Sequence, residues 1–168
     1  RKTGAPETIA GYPVNDPDHR YLGFAVSGYG LVYNPSYLAA RGLPVPRNWA
    51  DLAAPVYAGH IGLTSPSRSG TTHLMVEAIL QSLGWERGWA LWSAIGGNLA
   101  TITARSFGVN AGVARGRFGI GISIDFLTEA NATEGEGNRF VLTGETLFAP
   151  ASIARLATSP TTQEAELS

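Results

Sequence analysis

Residues 118–125, FGIGISID, alternate without a break, with Phe118, Ile120, Ile122 and Ile124 on one side and Gly119, Gly121, Ser123 and Asp125 on the other. A period of two belongs to a β-strand. The apolar face has to be covered, and the nearly bare face lets a second element approach closely. Such a strand belongs in the middle of a sheet covered on both sides. Helical patterns and further strand patterns surround it. From Thr71 the residues Met75, Val76, Ile79, Leu80 and Leu83 recur at helical spacing, and Gly84 stands where a left-handed C-cap belongs. A second helix is predicted from Glu86 to about Ile95, with Trp85, Trp89 and Trp92 on one stripe that calls for burial. Leu22–Tyr33 reads as a strand that can bend at Gly28 and Gly30 and stops at Asn34-Pro35. Short helices are predicted at Pro35–Ala40 and, capped by Asn48, at Trp49–Ala53, with a buried strand at His60–Thr64. Asn110 is predicted to cap a short helix ending at Gly116. A helix from Asp125 to about Ala132, a turn through Gly135 and Gly137, and strands near Phe140–Leu142 and Leu147–Ile153 complete the pattern. Strands alternating with helices make this an α/β chain.

The chain has 168 residues, enough for one domain with a real core. Residues 1–20, Pro-rich and aperiodic, read as an irregular lead-in; residues 21–157 read as the α/β domain, and residues 158–168 as a truncated tail. The abrupt ends suggest a fragment of a longer protein. A net charge of -1 with scattered Lys and Arg leaves no electrostatic basis for a nucleic-acid groove. With no cysteine there is no disulfide, thiolate metal site or cysteine nucleophile. No apolar run approaches the roughly 20 residues that span a bilayer. Nothing in the chain asks for a cofactor.

The strand at His60–Thr64 runs into Ser65–His73, SPSRSGTTH, and then into a helix. The first N–H groups of a helix have no intrahelical partner, and the helix dipole adds partial positive charge. An anion can therefore be held by the Gly70, Thr71 and Thr72 amides. Hydroxyls of Ser67, Ser69, Thr71 and Thr72 can add donors, Arg68 a full charge, and Gly70 permits close approach. Phosphate or carboxylate is the natural guest. The bland alternative is that Ser69 or Thr71 merely caps the helix, since the ending of a Walker loop is absent.

Two more loops should lie on the same sheet edge, carrying Ser106 and Asp125. Ser106, with Arg105, fits a surface turn as well as a ligand contact. Asp125 fits an N-cap, an acceptor for ligand hydroxyls, or both. His73, in the first turn of the anion helix, can reach a bound phosphate or stay partly exposed; His19 and His60 have no metal spacing and receive no role. Ser69, His73 and Asp125 could also form the nucleophile, base and orienter of a serine hydrolase, although G-x-S-x-G is absent. The Trp-rich helix could instead dock onto another domain or receptor.

The run from SPSRSGTTH through GISIDF, with GYGLVYN, Trp49–Leu52 and PASIA from Pro150, resembles the second lobe of the type 2 periplasmic solute-binding proteins of ABC transporters. Within that family it is similar to the ferric-iron, sugar-phosphate and phosphoglycerate branch, nearest to the phosphoglycerate-transport regulatory members. The resemblance implies a three-layer α/β/α sandwich forming one lobe of a two-lobed clamp, with the first lobe outside this chain. It implies that Gly23–Tyr33 carries an interdomain crossing, that Ser69–Thr72 cradle an anionic group, that Ser106 faces the cleft, and that Asp125 reads the rest of the ligand. Its partners would be a small organic anion and an ABC permease or sensor kinase, outside the cytoplasmic membrane. The chain departs from the iron-binding members, which offer adjacent tyrosines near the position of Asp125-Phe126. Ferric transport is thus the lesser alternative, because a hard ferric ion needs anionic oxygen ligands.

Overall fold

The computed structural model of the chain describes residues 8–9, 11–18, 20–130, 137–144 and 147–154. The predicted helix end at Ala132, the turn at Gly135, His19 and the 158–168 tail lie outside the described residues. Two compact units are formed, Arg1–Ser27 with Phe148–Ser168, and Gly28–Leu147.

In the smaller unit, β1 (Thr8–Ile9) pairs antiparallel with β2 (Tyr12–Pro13), and Gly11 turns between them at φ 83°. A tight hairpin needs such a positive φ. The lead-in therefore contains a minimal hairpin where irregular chain was expected; strands of two residues are too short to show a period. Beyond it, Asp16 accepts hydrogen bonds from Arg20 Nε at 2.7 Å and from the Arg20 backbone N–H at 3.0 Å.

The strand β3 (Leu22–Tyr33) starts in the smaller unit and ends in the larger. Asn34 then caps α1 (Pro35–Ala40), its side chain accepting the Tyr37 N–H at 3.0 Å. The predicted helix at Trp49–Ala53 is a 3₁₀ turn at Ala50–Ala53. Asn48 accepts the Asp51 N–H at 2.9 Å while Asp51 accepts the Arg47 N–H at 2.7 Å, and Pro55 soon follows. These reciprocal bonds close one tight turn and the proline prevents its extension.

After β4 (Ile61–Thr64) come α2 (Gly70–Leu83) and α3 (Trp85–Gly97), then β5 (Leu99–Thr103), α4 (Ser106–Ala114), β6 (Ile120–Ile124), α5 (Asp125–Ala130) and β7 (Arg139–Val141). Gly84 has the predicted positive φ, 80°, but its ψ of 163° is extended, not left-handed helical. It bends the chain directly into α3. The Trp stripe is only partly buried, with Trp92 at 7% exposure against Trp49, and Trp85 at 71%. The strand β5 follows Gly96-Gly97-Asn98 and was not among the predicted strands.

The sheet runs β5-β4-β6-β3-β7, with β4 parallel to β5 and β6, and β3 antiparallel to β6 and β7. In the smaller unit, β8 (Phe148–Ile153) pairs with β3. The predicted central strand is central: every residue of β6 is buried. A Cβ at Gly121 would overlap Val109 of α4, so the bare face is what lets α4 lie against the sheet. Phe118 departs from the alternation because β6 begins only at Ile120. Its ring instead fills the space left by Gly62 and Gly112 and joins Val32, Val109 and Val113. The structure corrects Asn110 as well. It sits inside α4, fully buried, and the helix starts at Ser106, directly after β5. The fold is the expected α/β/α arrangement.

Candidate functional site

The chain passes from β4 to β5 on one side and then to β6 on the other side of β4, so the strand order reverses beside β4. Loops leaving the carboxyl ends of strands at such a point form a crevice. The loop after β4 carries Ser65–Ser69, β5 leads into α4 at Ser106, and β6 is followed directly by Asp125, the first residue of α5.

Ser69 caps α2 from an extended backbone at φ -132° and ψ 114°, its Oγ accepting the Thr72 N–H at 3.3 Å. The predicted capping role is thus present. The same Oγ lies 2.8 Å from Ser106 Oγ and 3.4 Å from Thr72 Oγ1, so the starts of α2 and α4 are pinned to each other by hydroxyls. Ser69 and Thr72 are buried, Thr71 is half-buried, and Gly70 and His73 are exposed. With the Thr72 N–H on the cap and the His73 N–H on Ser69 O at 2.9 Å, the Gly70 and Thr71 N–H groups have no acceptor among the described residues. They stand at the positive end of a helix of 14 residues, the arrangement that attracts an anion. Ser67 bonds Ser65 through their hydroxyls at 2.9 Å, and Arg68 is exposed with its N–H on Ser65 O.

Asp125 is half-exposed, Oδ2 accepting the Gly28 N–H at 2.8 Å and Oδ1 the Phe126 N–H at 2.7 Å. Each oxygen keeps a lone pair for a further donor. Antiparallel register sets Tyr29 of β3 opposite Ile124, which brings Gly28 beside the carboxylate from 97 residues away. Burial, and then the Asp125 carboxylate, push the Tyr29 phenol up from its ordinary value. The sequence marks Gly28 only as a possible bend and does not single out Tyr29. Their role depends on strand pairing, which has no local signal.

The hydrolase arrangement is unsupported. Ser69 Oγ is engaged by Ser106 and the α2 cap, no hydrogen bond joins it to the His73 ring, and Asp125 is turned onto Gly28. A shallow cavity of about 220 Å³ lies elsewhere, along β5 and α4, lined by Ala100, Thr101, Thr103, Gly108, Arg117 and Phe118. No predicted site residue lines it.

Residues 5–154 match the bacterial extracellular solute-binding protein family. Over 85 residues the chain is 59% identical to the phosphoglycerate transport regulatory protein PgtC of Salmonella typhimurium, a match spanning 51% of this chain and 21% of that protein. Its fold is similar to AfuA of Actinobacillus pleuropneumoniae, solved with fructose-6-phosphate, at TM-score 0.74 and 21% identity, covering 88% of this chain and 47% of AfuA. Iron-bound HitA of Pseudomonas aeruginosa has TM-score 0.72 and 19% identity, covering 92% of this chain and 51% of HitA. The chain thus spans about half the length of these solved relatives and less of the Salmonella protein. The sheet order, the covered β6 and the match over residues 5–154 together make this chain a member of the bacterial extracellular solute-binding proteins, a periplasmic family with the type 2 binding-protein fold.

Proposed function

We propose that residues 21–157 form the second lobe of an extracytoplasmic receptor that captures a small organic anion, a phosphorylated or carboxylated metabolite, without transforming it. The observation that carries this reading is the pair of unpartnered N–H groups at Gly70 and Thr71, set on the sheet edge that also presents Ser106 and Asp125. The amides of Gly70 and Thr71 hold the anionic group, with Ser69 and Thr72 at the base of the cradle and Ser67, Arg68 and His73 at its rim. Ser106 faces the ligand, and Asp125 accepts hydrogen bonds from its hydroxyls. A first lobe of the same protein supplies the opposite wall, and the closed form is read by an ABC permease or a sensor kinase.

A phosphorylated ligand agrees with the 59% identity to a phosphoglycerate transport regulatory protein. The likeness to iron-bound HitA concerns the fold, and the local chemistry here is adverse to ferric ion. Phe126 offers no oxygen, and the phenol of Tyr29 is pushed toward its protonated form, away from the phenolate a ferric ion requires.

Calorimetry on the protein with 3-phosphoglycerate, hexose phosphates, phosphonates and ferric citrate tests the reading. Binding of an organic anion with no heat from ferric citrate is the expected result. Silence toward every organic anion would remove the ligand class.

A further inference from the structure

On the inner face of α4, Ser106 and Asn110 stand four residues apart, one turn of helix. Ser106 reaches sideways to the α2 cap at Ser69. Asn110 reaches the other way. Its Oδ1 accepts from Ser123 Oγ of β6, its Nδ2 donates to Thr128 Oγ1 of α5 at 3.4 Å, and its carbonyl accepts from Asn138 Nδ2 at 3.4 Å. Asn110 is 0% exposed, and Ser123 and Thr128 are buried too. A buried carboxamide is costly to desolvate, and an apolar side chain of similar volume would pack against β6 without that cost. What a carboxamide adds is direction, because hydrogen bonds set distance and angle where dispersion contacts allow sliding.

The bonds make one cross-braced chain beneath the carboxyl edge. Thr72 of α2 bonds the cap Ser69, Ser69 holds Ser106, α4 carries the connection to Asn110, Asn110 holds Ser123 and Thr128, and α5 carries Asp125, which is fixed to Gly28. We propose that Asn110 is a positioning residue that sets the spacing between the anion cradle at Gly70-Thr71 and the hydroxyl acceptor at Asp125, and so selects anions that carry a hydroxyl at a fixed distance. This rests on the anion-site reading above.

The test compares two probes, inorganic phosphate and 3-phosphoglycerate, on the protein and on an Asn110→Leu/Ser123→Ala/Thr128→Val variant. The triple change leaves none of the three groups unpaired, so the fold is kept and only the directional link is lost; thermal melts check that. The protein prefers 3-phosphoglycerate, and the variant binds phosphate within about twofold of the protein while its preference for 3-phosphoglycerate falls about tenfold. A variant that keeps the original preference overturns the inference and makes Asn110 merely structural. A protein that binds phosphate and 3-phosphoglycerate equally overturns it as well, and leaves the anion cradle standing. Binding of neither probe by the protein removes the cradle, and the inference with it.

Discussion

The two ends of the sheet in residues 28–147 both carry polar side chains, and the protein treats them oppositely. At the amino end of β4, His60 Nδ1 and Tyr37 OH are joined at 2.9 Å, the rings meet edge-on, and the Arg41 guanidinium carbon lies 3.7 Å above the Tyr37 ring. The His60 carbonyl accepts the Gly119 and Ile120 N–H groups. Polar groups there satisfy one another and hold α1 to the sheet. At the carboxyl end the hydroxyls are equally well knit, through Ser69, Ser106 and Thr72, yet that bonding leaves the Gly70 and Thr71 donors over. A polar cluster is therefore not a site by virtue of being polar. What distinguishes one is surplus donors on a rigid frame, because an unpartnered N–H at a helix start is a standing invitation to an anion.

The comparison breaks most visibly if α4 is lifted off the sheet. Gly121→Leu places a side chain where Val109 sits. The expected cost is about 3 kcal/mol in thermal or denaturant unfolding, with the carboxyl end disturbed through Ser106. Ser69→Ala removes the cap and the link to Ser106 together; a loss of about 1–2 kcal/mol and a severalfold weaker hold on phosphate are expected. Tyr37→Phe removes the hydrogen bond to His60 and keeps the ring under Arg41, for a loss of about 1 kcal/mol with phosphate affinity unchanged. Comparable phosphate losses in Ser69→Ala and Tyr37→Phe would abolish the distinction between the two ends.

The smallest effect serves as a control in the other compact unit. The hydrogen-bonded Arg20 guanidinium holds the Asp16 carboxyl down at about 2, below its ordinary value of 3.8. A depressed carboxyl contributes stability that is present above its unfolded value and is lost as the pH falls through the folded one. Acid titration of the melting temperature should therefore show a decline from about pH 4 toward pH 2 that Asp16→Asn flattens, with no effect on anion binding near neutrality.

How far the sequence carried the reading depended on whether the signal was local. The β6 alternation was legible because a period of two shows within a few residues, large side chains on one face and small ones where α4 packs closely on the other, and the Ser69 cap was legible because a cap acts within three residues. The strand β5 escaped because its middle residues are exposed at the sheet edge, leaving no period to detect. Asn110 was read as a cap because that is what asparagine does before a helix, whereas Ser123 and Thr128, distant in sequence, satisfy it inside. Phe118 looked like part of β6 until two glycines, at positions 62 and 112, offered its ring a better place. Gly28 beside Asp125 follows only from antiparallel register.

The central claim rests on two N–H groups, and one of them can be deleted without disturbing the helix. Gly70 is the first residue of α2, a Cβ there meets nothing within 4 Å, and the preceding Ser69 is already extended, so Gly70→Pro suits both its position and its neighbour. The change removes one donor and leaves the cap, Ser106 and Asp125 in place. Calorimetry of the variant with 3-phosphoglycerate should show affinity lowered about tenfold or more at an unchanged or slightly raised melting temperature, the loss of one charge-assisted hydrogen bond. Unchanged affinity in a folded Gly70→Pro protein would contradict the account.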